Sequence, residues 1–197
     1  MSRLILASAS RSRARMLKNA GISTEAIASG VDEDAIKQDG LVDGLLMDDI
    51  AMALAQAKAL AISAQHPNAL VIGADQILVC EGQYYDKPRD MTEARKHLQA
   101  LSGKRHELLT AACVAAGNEI VWQHISAPQL RMRVLDESFI ATYLETAGPM
   151  VMESVGAYQL EGRGAQLFDH VDGDFFSILG LPLLPLLAFL REQGPMS

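Results

Sequence analysis

The run 69–80, ALVIGADQILVC, constrains the fold more than any other part of the sequence. Leu70, Val71 and Ile72 are apolar in succession. Alternate side chains of a strand point to opposite faces, so a strand here must be covered on both sides. A sheet with one wet face cannot hold it; a sheet sandwiched by helices can. Gly73 interrupts the run, which therefore reads as two strand signals, with Asp75 just past the end of the first. Leu4, Ile5 and Leu6 form a second apolar triplet, and a strand is expected there too.

The intervening segments supply the cover. Ser10 or Ser12 is placed to cap a helix reaching about Ala20, and Gly21 then offers the left-handed conformation that ends helices. A short strand is expected over 22–28, an acidic loop over 31–40 and a buried helix over 50–64, where alanine, leucine and methionine dominate. EGQYY (81–85) reads as a turn, and 92–101 as a helix with Thr92 as its cap. Segments 108–116 and 119–125 read as a hairpin around Gly117-Asn118, followed by a strand over 129–134. Asp136 is placed to cap a helix to about Thr146; a glycine-rich irregular stretch then leads to a C-terminal helix starting near Pro182. Helices and strands alternate early and hairpins dominate the middle. The expected fold is α/β with a mixed sheet and flanking helices, in one domain spanning 1–197.

Composition narrows the function. A net charge of −7 on 197 residues disfavours nucleic acid as a partner. Two cysteines, Cys80 and Cys113, make neither a disulfide framework nor a zinc motif, which points to a reducing cytoplasm. The apolar run at the N-terminus is too short for a secretory signal. The segment 178–190, ILGLPLLPLLAFL, carries two prolines and falls short of the ~20 residues a membrane helix needs. No membrane association is expected.

Several residues could carry chemistry. LILASASRSRARML (4–17) sends an apolar strand straight into small hydroxyls and arginines. Such a turn lets backbone N–H groups approach an anion, and the following helix aims its positive end at the same point. Ser8, Ser10 and Ser12 add hydroxyls, and guanidinium forks match phosphate oxygens. Arg11, Arg13 and Arg15 cannot all face one way on a helix. No P-loop, dinucleotide fingerprint, G-x-S-x-G elbow or paired-histidine motif occurs. Asp75 could be an active-site carboxylate at a strand end or a carboxylate satisfied by turn hydrogen bonds. Lys58, in an apolar helix, could snorkel to solvent or pair with an anion. GAYQLEGRGAQLF (156–168), with glycines around Glu161, allows either close backbone approach to a ligand or an ordinary loop.

Together these segments resemble the Maf family of septum-formation proteins, which are nucleoside triphosphate pyrophosphatases. The resemblance rests on eight motifs in order: LILASASRSR at the start, VDE (31–33), LAQAKA (54–59), VIGADQ (71–76), DKP (86–88), LSGKRHEL (101–108), VGAYQLEGRG (155–164) and GDFFSILGLPLL (173–184). It implies a fold like that of inosine triphosphate pyrophosphatases, with an elongated sheet and two lobes around a cleft. It implies a homodimer, and cleavage of a nucleoside triphosphate between the α and β phosphates with Mg²⁺, Mn²⁺ or Co²⁺, in a house-cleaning role. On this resemblance Ser8, Ser10, Arg13, Lys58 and Lys87 bind phosphate, Glu33 and Asp75 hold the metal, and Asp75 is the proton acceptor. Ser12, Gln76 and Glu161 sit at specificity positions. Gln76 and Glu161 are similar to the branch acting on 7-methyl-GTP, whereas the branch acting on dTTP and UTP carries threonine and glutamine there. The alternatives are a dTTP/UTP enzyme and a non-catalytic nucleotide-binding regulator of cell division.

Overall fold

The computed structural model of the chain describes residues 3–193. In chain order the elements are β1 (Arg3–Leu6), α1 (Arg11–Asn19), β2 (Glu25–Ala26), α2 (Glu33–Val42), α3 (Met47–Ser63), β3 (Ala69–Cys80), β4 (Gln83–Tyr85) and α4 (Met91–Leu101). Then come β5 (Arg105–Ala116), β6 (Glu119–Ser126), β7 (Gln129–Met132), α5 (Glu137–Ala147), β8 (Phe168–Asp172), α6 (Phe175–Ile178) and α7 (Leu183–Glu192). Three short 3₁₀ turns lie between α5 and β8. The strands form one mixed sheet in the order β2-β1-β3-β5-β7-β8, with β4 on β3 and β6 on β5. β1 is parallel to both β2 and β3, and the β5–β6, β5–β7 and β7–β8 pairs are antiparallel. The mixed α/β fold with flanking helices is as expected.

The chain divides into two compact units. One holds the residues up to Gln76, Thr110–Ser126 and those from Phe175 on; the other holds Ile77–Leu109 and Ala127–Asp174.

In the first unit β3 is buried on both faces, as its apolar triplet requires. Ile72 and Ala74 join Leu6, Ala112 and Val114 in a core with Met16 and Leu17 of α1 and Leu183, Leu186 and Leu190 of α7. The opposite face meets α3. Gly73 is needed there: a Cβ at this position would lie 2.1 Å from the Ala55 carbonyl oxygen and 2.9 Å from Ala59 Cβ. The glycine that looked like an interruption is a close approach between helix and strand, and β3 runs through it unbroken for 12 residues. Asp75 consequently sits inside the strand rather than beyond its end.

Other differences have equally local causes. The acidic segment expected as a loop is α2: the Asp32 side chain accepts from Ala35 N at 3.0 Å, and Glu33 and Asp34 sit in the first turn, where negative charge suits the helix dipole. β4 replaces the expected turn at 83–85, and β8 emerges in the stretch read as irregular. Both are short edge strands without a clear alternating pattern. The strand expected over 22–28 shrinks to β2, and the cap of α4 is Asp90, not Thr92. Asp136 caps α5 as expected, and Gly117 and Asn118 turn the β5–β6 hairpin with positive φ.

The second unit is organised around a buried polar contact. His106 of β5 is 2 % exposed, and its Nε2 lies 2.8 Å from the Tyr158 hydroxyl, with Phe168 packed against both rings. The Tyr143 hydroxyl donates to Ala157 O at 3.3 Å. Two aromatic residues thus fix the 155–158 segment. Burial pushes the His106 imidazole down to about 4.

Two predictions follow from this packing. Gly73→Ala should cost roughly 3 kcal/mol, read as a lower urea midpoint, because backbone atoms of α3 must move. The folded chain keeps His106 neutral where the unfolded chain would protonate it, so stability should fall with acidification between pH 6.5 and about 4. The loss should approach about 3 kcal/mol, and His106→Phe should flatten that part of the pH profile.

Candidate active site

Eight of the ten residues singled out in the sequence belong to the first unit: Ser8, Ser10, Ser12, Arg13, Glu33, Lys58, Asp75 and Gln76. Three of them form an ionic centre. Lys58 projects from α3 and is only 6 % exposed. Its Nζ lies 2.5 Å from Asp75 Oδ1 on β3 and 2.9 Å from Glu33 Oε1 in the first turn of α2. Lys58 does not snorkel; it pairs. Asp75 is itself 7 % exposed, whereas the Glu33 side chain is half-exposed. A buried ammonium between two carboxylates leaves no buried charge uncompensated.

Beside this centre the chain leaving β1 is wound tightly. Ala7 N donates to Ile72 O and Ser8 N to Leu6 O. The Ser8 hydroxyl oxygen accepts from Ser10 N at 3.2 Å, and the Ser10 hydroxyl oxygen caps α1 by accepting from Arg13 N at 3.4 Å. The arginines divide as helix geometry demands: Arg13 is buried, and Arg11 and Arg15 are exposed. Arg13 Nε donates to Gly180 O at 2.7 Å, and Nη1 donates to Ser8 Oγ at 3.2 Å and Ala74 O at 2.9 Å. Burial lowers the guanidinium's pKa, and the charges of Asp75 and Glu33 oppose that shift. Arg13 thus ties the β1 exit, the strand bearing Asp75 and the segment before α7 together, with three of its N–H groups spent on the protein.

That segment is held at four consecutive carbonyls. Ser177 O accepts from Gln76 Nε2 and from the Thr110 hydroxyl, Ile178 O from Gln76 Nε2, Leu179 O from the Ser12 hydroxyl and Gly180 O from Arg13. Ser12 and Gln76, expected to meet the ligand, therefore also have structural partners. Sequence reasoning missed Thr110. The available signal was a lone hydroxyl inside the apolar run LLTAACVAA (108–116).

Lys87 and Glu161 belong to the second unit, and both are exposed. Lys87 precedes buried Pro88. Glu161 lies in a turn closed by Gly162 N donating to Gln159 O, and Gly164 packs so tightly on that turn that a Cβ would fall 2.4 Å from Gln159 O.

The donor set suits a divalent cation of the magnesium type. Glu33 and Asp75 offer carboxylate oxygens that already converge on one positive point. Mg²⁺ takes one or two carboxylates together with substrate phosphates and keeps several waters. Among the described residues no group of three His, Cys, Asp or Glu could hold an ion on protein ligands alone, so the remaining ligands would come from water and substrate.

Comparison with known proteins bears on the family of the whole chain. The family described as Maf-like protein matches residues 3–193. A nucleoside triphosphate pyrophosphatase of Paramagnetospirillum magneticum is 49 % identical over 192 residues, covering 98 % of this chain and 99 % of the relative. One from Granulibacter bethesdensis is 48 % identical over 195 residues, 99 % of each chain. A 7-methyl-GTP pyrophosphatase of Rhizobium meliloti is 48 % identical over 191 residues, 97 % of this chain and 96 % of the relative. The crystal structure of a dITP/XTP pyrophosphatase from Mycobacterium abscessus aligns over 98 % of each chain at 15 % identity with a TM-score of 0.38, too loose a likeness to carry an argument.

The ionic centre makes a direct prediction. Lys58→Met should leave a buried carboxylate without its counter-charge and cost about 3 kcal/mol or more at neutral pH, measured by chemical denaturation. Gln56→Ala, on the same helix but bonded to Gln123 at an exposed site, should cost far less.

Proposed function

Because the chain belongs to the Maf-like family, we propose that it is a nucleoside triphosphate pyrophosphatase that cleaves between the α and β phosphates and releases a nucleoside monophosphate and pyrophosphate. The observation that carries this reading is the Glu33–Lys58–Asp75 centre beside the Ser8–Ser10–Arg13 turn: carboxylates to serve a metal and a proton, next to donors for a polyanion.

In this reading the triphosphate lies against Ser8, Ser10 and Arg13, with Lys58 and Lys87 as further cations. Asp75 accepts a proton from a water as that water's oxygen bonds to the α-phosphorus. The bond from the α-phosphorus to the bridging oxygen breaks, and pyrophosphate leaves with the electron pair. The buried cations are worth most at this point, since charge builds where water is scarce. Glu33 and Asp75 would hold Mg²⁺, with Mn²⁺ or Co²⁺ as substitutes; the ion supplies charge neutralisation on the phosphate oxygens.

Glu161 and Gln76 support a base rich in donors. A carboxylate accepts from the N1–H and amino group of guanine and favours the positive ring of a 7-methylated purine. Two carbonyl oxygens of uracil or thymine would face it poorly. The 7-methyl-GTP named for the Rhizobium relative is therefore our proposed substrate class. Ser12, the third specificity position, supplies a small hydroxyl rather than a stacking ring.

The remaining expectations belong to the same reading: a single functional domain, a homodimer, a house-cleaning role and a cytoplasmic setting. Both cysteines are free and buried, as a reducing compartment allows. Among the described residues no helix is long and apolar enough to cross a membrane.

The test is pyrophosphate release with Mg²⁺ from a panel of GTP, 7-methyl-GTP, UTP and dTTP. Asp75→Asn should reduce release by about a thousandfold or more while retaining nucleotide binding. Orthophosphate as the first product, or an Asp75→Asn variant of undiminished rate, would reject the assignment.

A further inference from the structure

Thr110 interrupts an apolar run and is fully buried, yet both sides of its hydroxyl are used. It donates to Ser177 O at 2.9 Å and accepts from Gln76 Nε2 at 2.8 Å. With its proton spent on a carbonyl, the hydroxyl offers Gln76 only lone pairs. The other atoms within reach of Nε2, Ser177 O at 2.9 Å and Ile178 O at 3.2 Å, are acceptors only. Turning the amide over would set its oxygen against three oxygens. The orientation is thus dictated by chemistry and not by a choice between similar atoms. No donor among the described residues bonds the opposite end, Oε1. That oxygen lies beside Gly180, where a Cβ would approach it to 3.8 Å and Arg13 Nε to 3.5 Å. Gly180 has φ +99 and adds no side chain of its own to this flank, where the Arg13 guanidinium also lies.

We propose that Thr110 is a positioning residue for base selection: it locks the Gln76 amide so that Gln76 meets its ligand with a carbonyl oxygen alone and favours a base bearing an exocyclic amino group. The inference rests on the pyrophosphatase reading and on Gln76 as a specificity position, and it adds the polarity of that position and its cause. Glutamine in solution can present either a donor or an acceptor. Here the donor end is consumed within the protein, so an amino group is matched. Hypoxanthine, which lacks the 2-amino group of guanine, leaves the oxygen unanswered, and an exocyclic carbonyl of uracil or thymine set against it is repelled.

The decisive comparison is GTP with ITP, which differ only by the 2-amino group, alongside UTP. Pyrophosphate release would be followed for the wild type, Thr110→Ser and Thr110→Val. The wild type and the serine variant should favour GTP over ITP in kcat/KM by about tenfold or more. The valine variant should narrow that ratio severalfold, mainly through KM, with kcat largely kept. Side-chain amide hydrogen exchange at Gln76, read by NMR, should be slow in the wild type and Thr110→Ser and fast in Thr110→Val. Should valine prevent folding, Thr110→Ala takes its place. Equal use of GTP and ITP by the wild type, or an unchanged ratio in the valine variant, would overturn the inference and leave the pyrophosphatase standing. Release from no nucleotide would instead reject the enzymatic reading, and fast exchange at Gln76 in the wild type would reject the lock itself.

Discussion

One buried ammonium organises the candidate site. Lys58 could reach its place only if α3 packs flat on β3, and Gly73 makes that possible by letting the helix backbone come within contact of the strand. Once there, the lysine must be neutralised, because an isolated charge in that environment is costly. Asp75 and Glu33 do so from two different elements, which also sets α2 relative to α3. The arrangement that satisfies the fold is the one the proposed chemistry would use: two carboxylates held near each other despite their repulsion, and a cation already aimed at the same point.

The opposite face of β3 shows the same economy. Arg13 is buried by its packing and satisfied by backbone carbonyls, so its position is set before any ligand arrives. Ser12, Gln76 and Thr110 bind the adjoining carbonyls of the segment before α7. Preorganisation of this kind lowers the ordering cost that a flexible arginine or glutamine would incur on binding a nucleotide. In the second unit, His106, Tyr158 and Tyr143 perform a related task for the chain that leads into the Glu161 turn. Cys113 takes no part: burial pushes its thiol up to about 12, which leaves it inert at neutral pH.

How much of this was legible depended on range. The strand with two covered faces, the serine cap of α1, the hairpin at Gly117-Asn118 and the Asp136 cap are local features, and the sequence carries them in adjacent residues. The ionic centre was legible as a set of candidates, since Lys58 in an apolar helix has to snorkel or pair and Asp75 stood out beside an apolar run, although it was expected just past the strand rather than inside it. Their pairing with each other was not, because 17 residues separate them and periodicity says nothing about which helix covers which strand. The helical state of 33–42 was hidden by its polar composition; α2 owes its place to a cap and to Gly40 lying under Ile50. The partners of the Ser12 hydroxyl and of Arg13 Nε, Leu179 O and Gly180 O, lie 167 residues away and are carbonyls, which every residue possesses, so no side-chain pattern could have announced them.

The claim on which this account stands is that a water, activated at Asp75, attacks the α-phosphorus. Turnover of GTP or 7-methyl-GTP in ¹⁸O-labelled water, with mass analysis of both products, tests it most directly. Attack at the α-phosphorus should leave one labelled oxygen in the nucleoside monophosphate and none in the pyrophosphate. Label in pyrophosphate, or labelled orthophosphate beside a nucleoside diphosphate, would place the attack on another phosphorus and contradict it.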